Sequence, residues 1–117
     1  MIGEDDEPIA RLLRDAINDE PAYQAVIVPD GALVLETVRQ VKADMLILDI
    51  MMPGLNGLEV YDRVRADTDV RSMPVLFVTA ASKEYERQFA DRKIADVIMK
   101  PFDLNDLLAK VRALCPA

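Results

Sequence analysis

A single carboxylate ends an uninterrupted apolar run: Met45-Leu46-Ile47-Leu48 is followed by Asp49-Ile50-Met51-Met52-Pro53. A run without polar alternation predicts a strand buried on both faces, the pattern of a parallel sheet covered by helices on each side. In such sheets ligands bind beyond the carboxyl ends of the strands, so Asp49 is expected at a working edge and not in the core. Three further runs, Tyr23 to Val28, Val75 to Val78 and Asp96 to Met99, alternate with helical patterns and predict βα units joined by right-handed crossovers.

The first helix starts at Pro8 and carries Ile9, Leu12, Leu13, Ala16 and Ile17 as a stripe against the sheet. Later helices follow Asp30-Gly31 (Leu35, Val38, Val41), Asn56-Gly57 (Leu58, Tyr61, Val64) and Asp103, an expected N-cap (Leu104, Leu107, Leu108, Val111, Leu114). Gly54 and Gly57 read as loop glycines free to adopt positive φ. The stretch from Ser82 to Lys93 is mostly charged, with Tyr85 and Phe89 one turn apart. It predicts a thin helix with a weak grip on the core, the element expected to move most.

At 117 residues the chain is expected to be one domain over 1–117, with no output domain after Pro116-Ala117, acting through another protein or as a fragment. A net charge of -7 opposes docking on a phosphate backbone, so direct nucleic-acid binding is not expected. The only cysteine, Cys115, permits no internal disulfide and no cysteine metal site, which makes the cytoplasm the default compartment. The opening Met1-Ile2-Gly3-Glu4-Asp5-Asp6-Glu7 is acidic where a signal peptide is basic. No apolar run approaches the ~20 residues that span a bilayer.

Glu4-Asp5-Asp6, Asp49, Thr79 and Lys100-Pro101 all stand just past apolar runs, and a parallel sheet brings its strand ends to one edge. Clustered carboxylates repel, so without a cation one of them should hold its proton to unusually high pH. Oxygen ligands alone, in a chain with no histidine, point to a hard ion such as Mg²⁺. Lys100 and Thr79 add a compact positive charge and a hydroxyl suited to phosphoryl oxygens. Asp49 is then the candidate nucleophile, forming an aspartyl-phosphate.

These motifs resemble those of the response-regulator receiver domains of two-component signalling, chemotaxis-regulator-like, along nearly the whole chain. Asp49-Ile50-Met51-Met52-Pro53-Gly54-Leu55-Asn56-Gly57 is similar to the segment around the family's phosphorylated aspartate. Val78-Thr79-Ala80 resembles its switch threonine, Lys100-Pro101-Phe102 its lysine-proline motif, and Glu4-Asp5-Asp6-Glu7-Pro8-Ile9 its acidic motif. The resemblance implies a flavodoxin-like, doubly wound, five-stranded parallel sheet in the order 2-1-3-4-5. It also implies Mg²⁺ held by Asp5, Asp49 and the Met51 carbonyl with Glu4 acting through water, and a cis bond before Pro101. A sensor histidine kinase is the implied donor, docking on the first helix, with the final helix presented to an unidentified downstream protein.

Two departures stand out. Only Met1, Ile2 and Gly3 precede Glu4, about 10 Å of strand, which is expected to leave part of the Tyr23 to Val28 strand without a ladder partner. A late start codon, a trimmed chain, or compensation by a second subunit in a homodimer would each account for it, the first two being favoured. Second, Val97 stands where the family often has a Tyr or Phe that rotates with the switch threonine, so readout is expected through Thr79 and the Ser82 to Lys93 helix. The rival functions are a docking module that is never phosphorylated and a phosphohydrolase of the haloacid-dehalogenase type. The hydrolase needs an Asp two positions after its nucleophile, where this chain has Met51. With Ala81 nearby there is also no group to orient water, so slow autodephosphorylation and no true enzyme activity are expected.

Overall fold

The computed structural model describes residues 1–80 and 83–116. Ala81, and Ser82 at the head of the predicted charged helix, lie outside the described residues. Five strands and five helices alternate: β1 (Ile2–Gly3), α1 (Glu7–Asn18), β2 (Ile27–Val28), α2 (Gly31–Val41), β3 (Leu46–Leu48), α3 (Gly57–Ala66), β4 (Val75–Thr79), α4 (Glu86–Asp91), β5 (Val97–Met99) and α5 (Leu104–Leu114). The sheet is parallel and ordered β2-β1-β3-β4-β5, as expected.

Both faces of β3 and β4 are covered, which is why their sequences lack polar alternation. Leu46, Leu48 and Phe77 pack with Val34, Val38, Val60, Val64 and Phe89 on one side. Ile47, Leu76 and Val78 pack with Ile2, Leu13, Ile17, Leu107 and Val111 on the other. Each fully buried aliphatic side chain stabilises the fold by roughly 1.5–3 kcal/mol, so the central strands form the rigid frame of the molecule. The helix starts are built as their sequences suggest. Asp6 accepts from the Ile9 N–H, Asp30 from Ala32 and Asp103 from Asn105, while Asn56 and Glu59 form a reciprocal capping box.

Several expectations change. Leu12 is half exposed, because it lies one step around α1 from Leu13 and the helix buries the narrower stripe Ala10, Leu13 and Ile17. Val41 is also exposed; Val34 and Val38 take the core positions of α2. The Tyr23 to Val28 run contributes only Ile27 and Val28 to the sheet, opposite Ile2 and Gly3. Upstream of Val26 the segment has no strand to pair with, and a cavity of about 410 Å³ opens there, with Met1, Tyr23, Val26, Val41 and Met45 in its walls. The charged segment yields a six-residue α4 that buries a single side chain, Phe89. Gly57 has no positive φ; among the described glycines only Gly54 has one, +79°. Gly57 is needed for close approach instead, since a Cβ there would stand 2.2 Å from the Asp49 carbonyl oxygen.

Candidate functional site

The sheet register assembles the site. The last paired residues on adjacent strands are Gly3 with Leu48 and Thr79 with Met99, so Glu4, Asp49 and Lys100 leave the sheet side by side. Backbone hydrogen bonds continue the ladders past the strand ends: Glu4 N–H to the Val28 carbonyl at 3.3 Å, and Asp49 N–H to the Gly3 carbonyl and Lys100 N–H to the Thr79 carbonyl, both at 3.0 Å. The Lys100–Pro101 bond is cis. Gly57 N–H donates to the Ile50 carbonyl, packing the start of α3 beneath the loop that follows Asp49.

Lys100 Nζ donates to Glu4 Oε1 at 2.5 Å and to Asp49 Oδ2 at 3.0 Å. Asp49 Oδ1 accepts from the Ile50 N–H at 2.7 Å. All three charged side chains are withdrawn from water, being 3% (Glu4), 10% (Asp49) and 13% (Lys100) exposed. Thr79 is fully buried.

Burial and charge then sort the protons. For Glu4, desolvation is the largest influence and neighbouring Asp49 adds to it against the opposing Lys100, so its carboxyl is pushed up from 4.5 to about 7. Asp49 is buried too, which alone would raise it. Hydrogen bonding from Lys100, with Glu4 and the Thr79 hydroxyl, outweighs burial and holds its carboxyl below 3.8. Burial would lower the Lys100 ammonium, but its two carboxylate partners hold it above 10.5. The result is an ionised Asp49, a charged Lys100 and a Glu4 that shares its proton near neutrality.

The acidic pocket fits a hard cation. Carboxylate oxygens of Glu4, Asp5 and Asp49 lie within 4.8 Å of one another, with Asp5 exposed to solvent. Among the described residues, Glu4 Oε2 is buried with no hydrogen-bond partner, a position a cation or its water would satisfy. Asp6 is turned away as the α1 cap. Met51 is 60% exposed. Sequence reasoning placed Glu4 behind Asp5. The structure puts Glu4 on Lys100, a contact between residues 96 positions apart that no local pattern reveals.

Known proteins agree with this architecture. The profile of the response regulator receiver domain matches residues 1–112. The response regulator ArlR of Staphylococcus epidermidis is 35% identical over 115 residues, covering 97% of this chain and 51% of that protein. The DNA-binding response regulator MtrA of Mycobacterium tuberculosis is 33% identical over 114 residues, covering 97% and 48%. This chain therefore spans about half the length of these relatives. Among solved structures, a sensor protein from Polaromonas sp. JS666 superposes with a TM-score of 0.86 at 27% identity, over 97% of this chain and 92% of that one. The BeF3-activated receiver domain of Klebsiella pneumoniae RstA shares the fold at a TM-score of 0.86 and 24% identity, over 99% and 97%. With its sheet order, its strand-end carboxylates and a profile match over nearly its whole length, the chain belongs to the response-regulator receiver domain family.

Proposed function

We propose that this receiver domain is a phospho-accepting switch in which Asp49 takes a phosphoryl group from a phosphohistidine of a sensor kinase. The histidine N–P bond breaks as an Asp49 Oδ–P bond forms, and the leaving imidazole takes a proton. The observation that carries this reading is Lys100 bridging two buried carboxylates, which keeps Asp49 ionised and therefore nucleophilic. Lys100 is placed to exchange a carboxylate for a phosphoryl oxygen, and the Thr79 hydroxyl to donate to another. Asp5, Asp49 and the Met51 carbonyl would hold Mg²⁺, with Glu4 acting through water; when bound, that ion supplies charge neutralisation on the transferring group.

Met51, two residues beyond Asp49, has no group to protonate a leaving group or to take a proton from attacking water, which favours a persistent aspartyl-phosphate over hydrolytic turnover. The family and the absence, among the described residues, of a helix long and apolar enough to cross a membrane support action in the cytoplasm. A net charge of -7 favours output by protein contact over contact of this domain with nucleic acid.

Incubation with acetyl phosphate and Mg²⁺ tests the reading. Intact-mass analysis is expected to show one added phosphoryl group, labile to hydroxylamine and missing in Asp49→Asn. A label that survives in Asp49→Asn, or that resists hydroxylamine, overturns it.

A further inference from the structure

The loop between Asp49 and α3 meets the start of α2 at backbone contact distance. Gly31, the first residue of α2, donates its N–H to the Pro53 carbonyl at 3.0 Å. A Cβ at Gly31 would stand 1.8 Å from the Leu55 carbonyl oxygen and 2.7 Å from its carbonyl carbon, both backbone atoms that cannot turn aside. From the other side Gly54, at φ +79°, faces the α2 cap. A Cβ there would stand 2.2 Å from Asp30 Oδ1, the oxygen that accepts the Ala32 N–H, and 3.1 Å from the Ala32 nitrogen. Loop and helix start interlock through one glycine each, at a separation that leaves no room for a Cβ.

The lock acts on a short and otherwise exposed stretch. The Ile50 carbonyl accepts from Met52 N–H at 3.1 Å, closing a three-residue turn centred on Met51, and from Gly57 N–H at 2.9 Å. Met51 is thus suspended between two fixed carbonyls, that of Ile50 before it and that of Pro53 after it. Being 60% exposed, Met51 adds little hold of its own. Its neighbours Met52 and Leu55 pack against the core cluster that contains Val34 and Val38 of α2.

We propose that Gly31 is a positioning residue for the metal side of the pocket: it sets the Met51 carbonyl by fixing the loop from Pro53 to Leu55 against α2. The inference rests on the reading of that carbonyl as a ligand to Mg²⁺. This ion demands near-ideal octahedral geometry, so displacing one fixed oxygen ligand lowers affinity, whereas loosening α2 elsewhere does not. Outer contacts that orient a metal ligand are worth roughly 10- to 100-fold in affinity.

The test compares Gly31→Ala with Val38→Ala in the intact chain. Val38 is fully buried about two turns further along α2, so its truncation removes core packing without touching the loop. Mg²⁺ titration followed by NMR at the Asp5 and Asp49 amides reads affinity without a phosphoryl donor, thermal unfolding in EDTA reads stability, and intact mass after acetyl phosphate reads labelling. Gly31→Ala is expected to weaken Mg²⁺ binding roughly tenfold. Val38→Ala is expected to lower the melting temperature and to leave Mg²⁺ affinity unchanged. If Gly31→Ala does not fold, Gly54→Ala, whose nearest obstacle is a side-chain oxygen that can move, is expected to weaken Mg²⁺ in the same direction. Unchanged affinity in the glycine variant that folds, or an equal loss in Val38→Ala, overturns the positioning role; labelling of the wild-type chain then leaves the phosphoacceptor reading standing. No Mg²⁺-dependent shift in the wild-type chain overturns the metal reading and this inference with it.

Discussion

Glu4 makes the stability of this domain depend on pH in a window where few other groups titrate. Its folded-state carboxyl is raised from 4.5 to about 7, so between those values the native state binds a proton that the unfolded chain has released. By linkage, stability is then greatest below the unfolded value and falls as pH rises toward 7. At about 1.4 kcal/mol per pH unit, the loss is about 3 kcal/mol, most of it between pH 5 and 7. The chain has no histidine to confuse this window. Asp49, held below 3.8, acts only at lower pH. The Met1 amine, lowered from 8.0 by burial, contributes with the opposite sign. Urea unfolding at pH 5, 6 and 7 in EDTA measures the slope, and Glu4→Gln subtracts the amine and the general repulsion of an acidic chain. Over this range the wild-type stability should fall by about 2 kcal/mol more than that of Glu4→Gln. Adding Mg²⁺ gives a second check: a cation prefers the deprotonated pair, so its stabilisation should grow with pH. Parallel pH profiles for the two proteins would refute the assignment of this proton to Glu4.

Removing the bridging cation in Lys100→Met leaves Glu4 and Asp49 buried against each other. Because Glu4 can take up a proton, the expected cost is about 2 kcal/mol above pH 7, less than the cost of breaking a buried pair with fixed charges, and it should shrink toward pH 5 in the same urea titrations. A loss that does not vary with pH would mean that Lys100 serves only packing. Gly57→Ala places a Cβ 2.2 Å from the Asp49 carbonyl oxygen and 2.9 Å from its carbonyl carbon. Despite the better helix propensity of alanine, it is expected to destabilise the domain by about 1–3 kcal/mol and to slow labelling by acetyl phosphate. A more stable variant with unchanged labelling would show that α3 does not set the Asp49 backbone.

The placement of the candidate residues was legible in the sequence because a parallel sheet converts chain order into place. Each candidate residue follows an apolar run, and Leu48-Asp49, Val78-Thr79 and Met99-Lys100 are strand-end steps in the fold as well. The same logic applied to helix stripes was less successful. Leu12 and Val41 fit the period of their helices, yet exposure depends on which flank meets the sheet and on whether a strand lies beneath. The reduced β2 follows from its partner, since strand formation at Tyr23 to Val26 needs hydrogen bonds that a two-residue β1 does not offer.

By itself, then, the sequence determined the alternating βα architecture, burial of the central strands on both faces, and which oxygen-bearing side chains and which lysine stand at strand ends. Those are properties of periodicity and of position in the chain. Only the tertiary structure decided that Lys100 bridges Glu4 and Asp49, that burial raises the Glu4 carboxyl, that Gly57 is required for closeness and not for its dihedral freedom, and that α4 buries Phe89 alone. Distances, desolvation and charge sharing arise between residues far apart in the chain, and they exist only once the register of the sheet has brought those residues together.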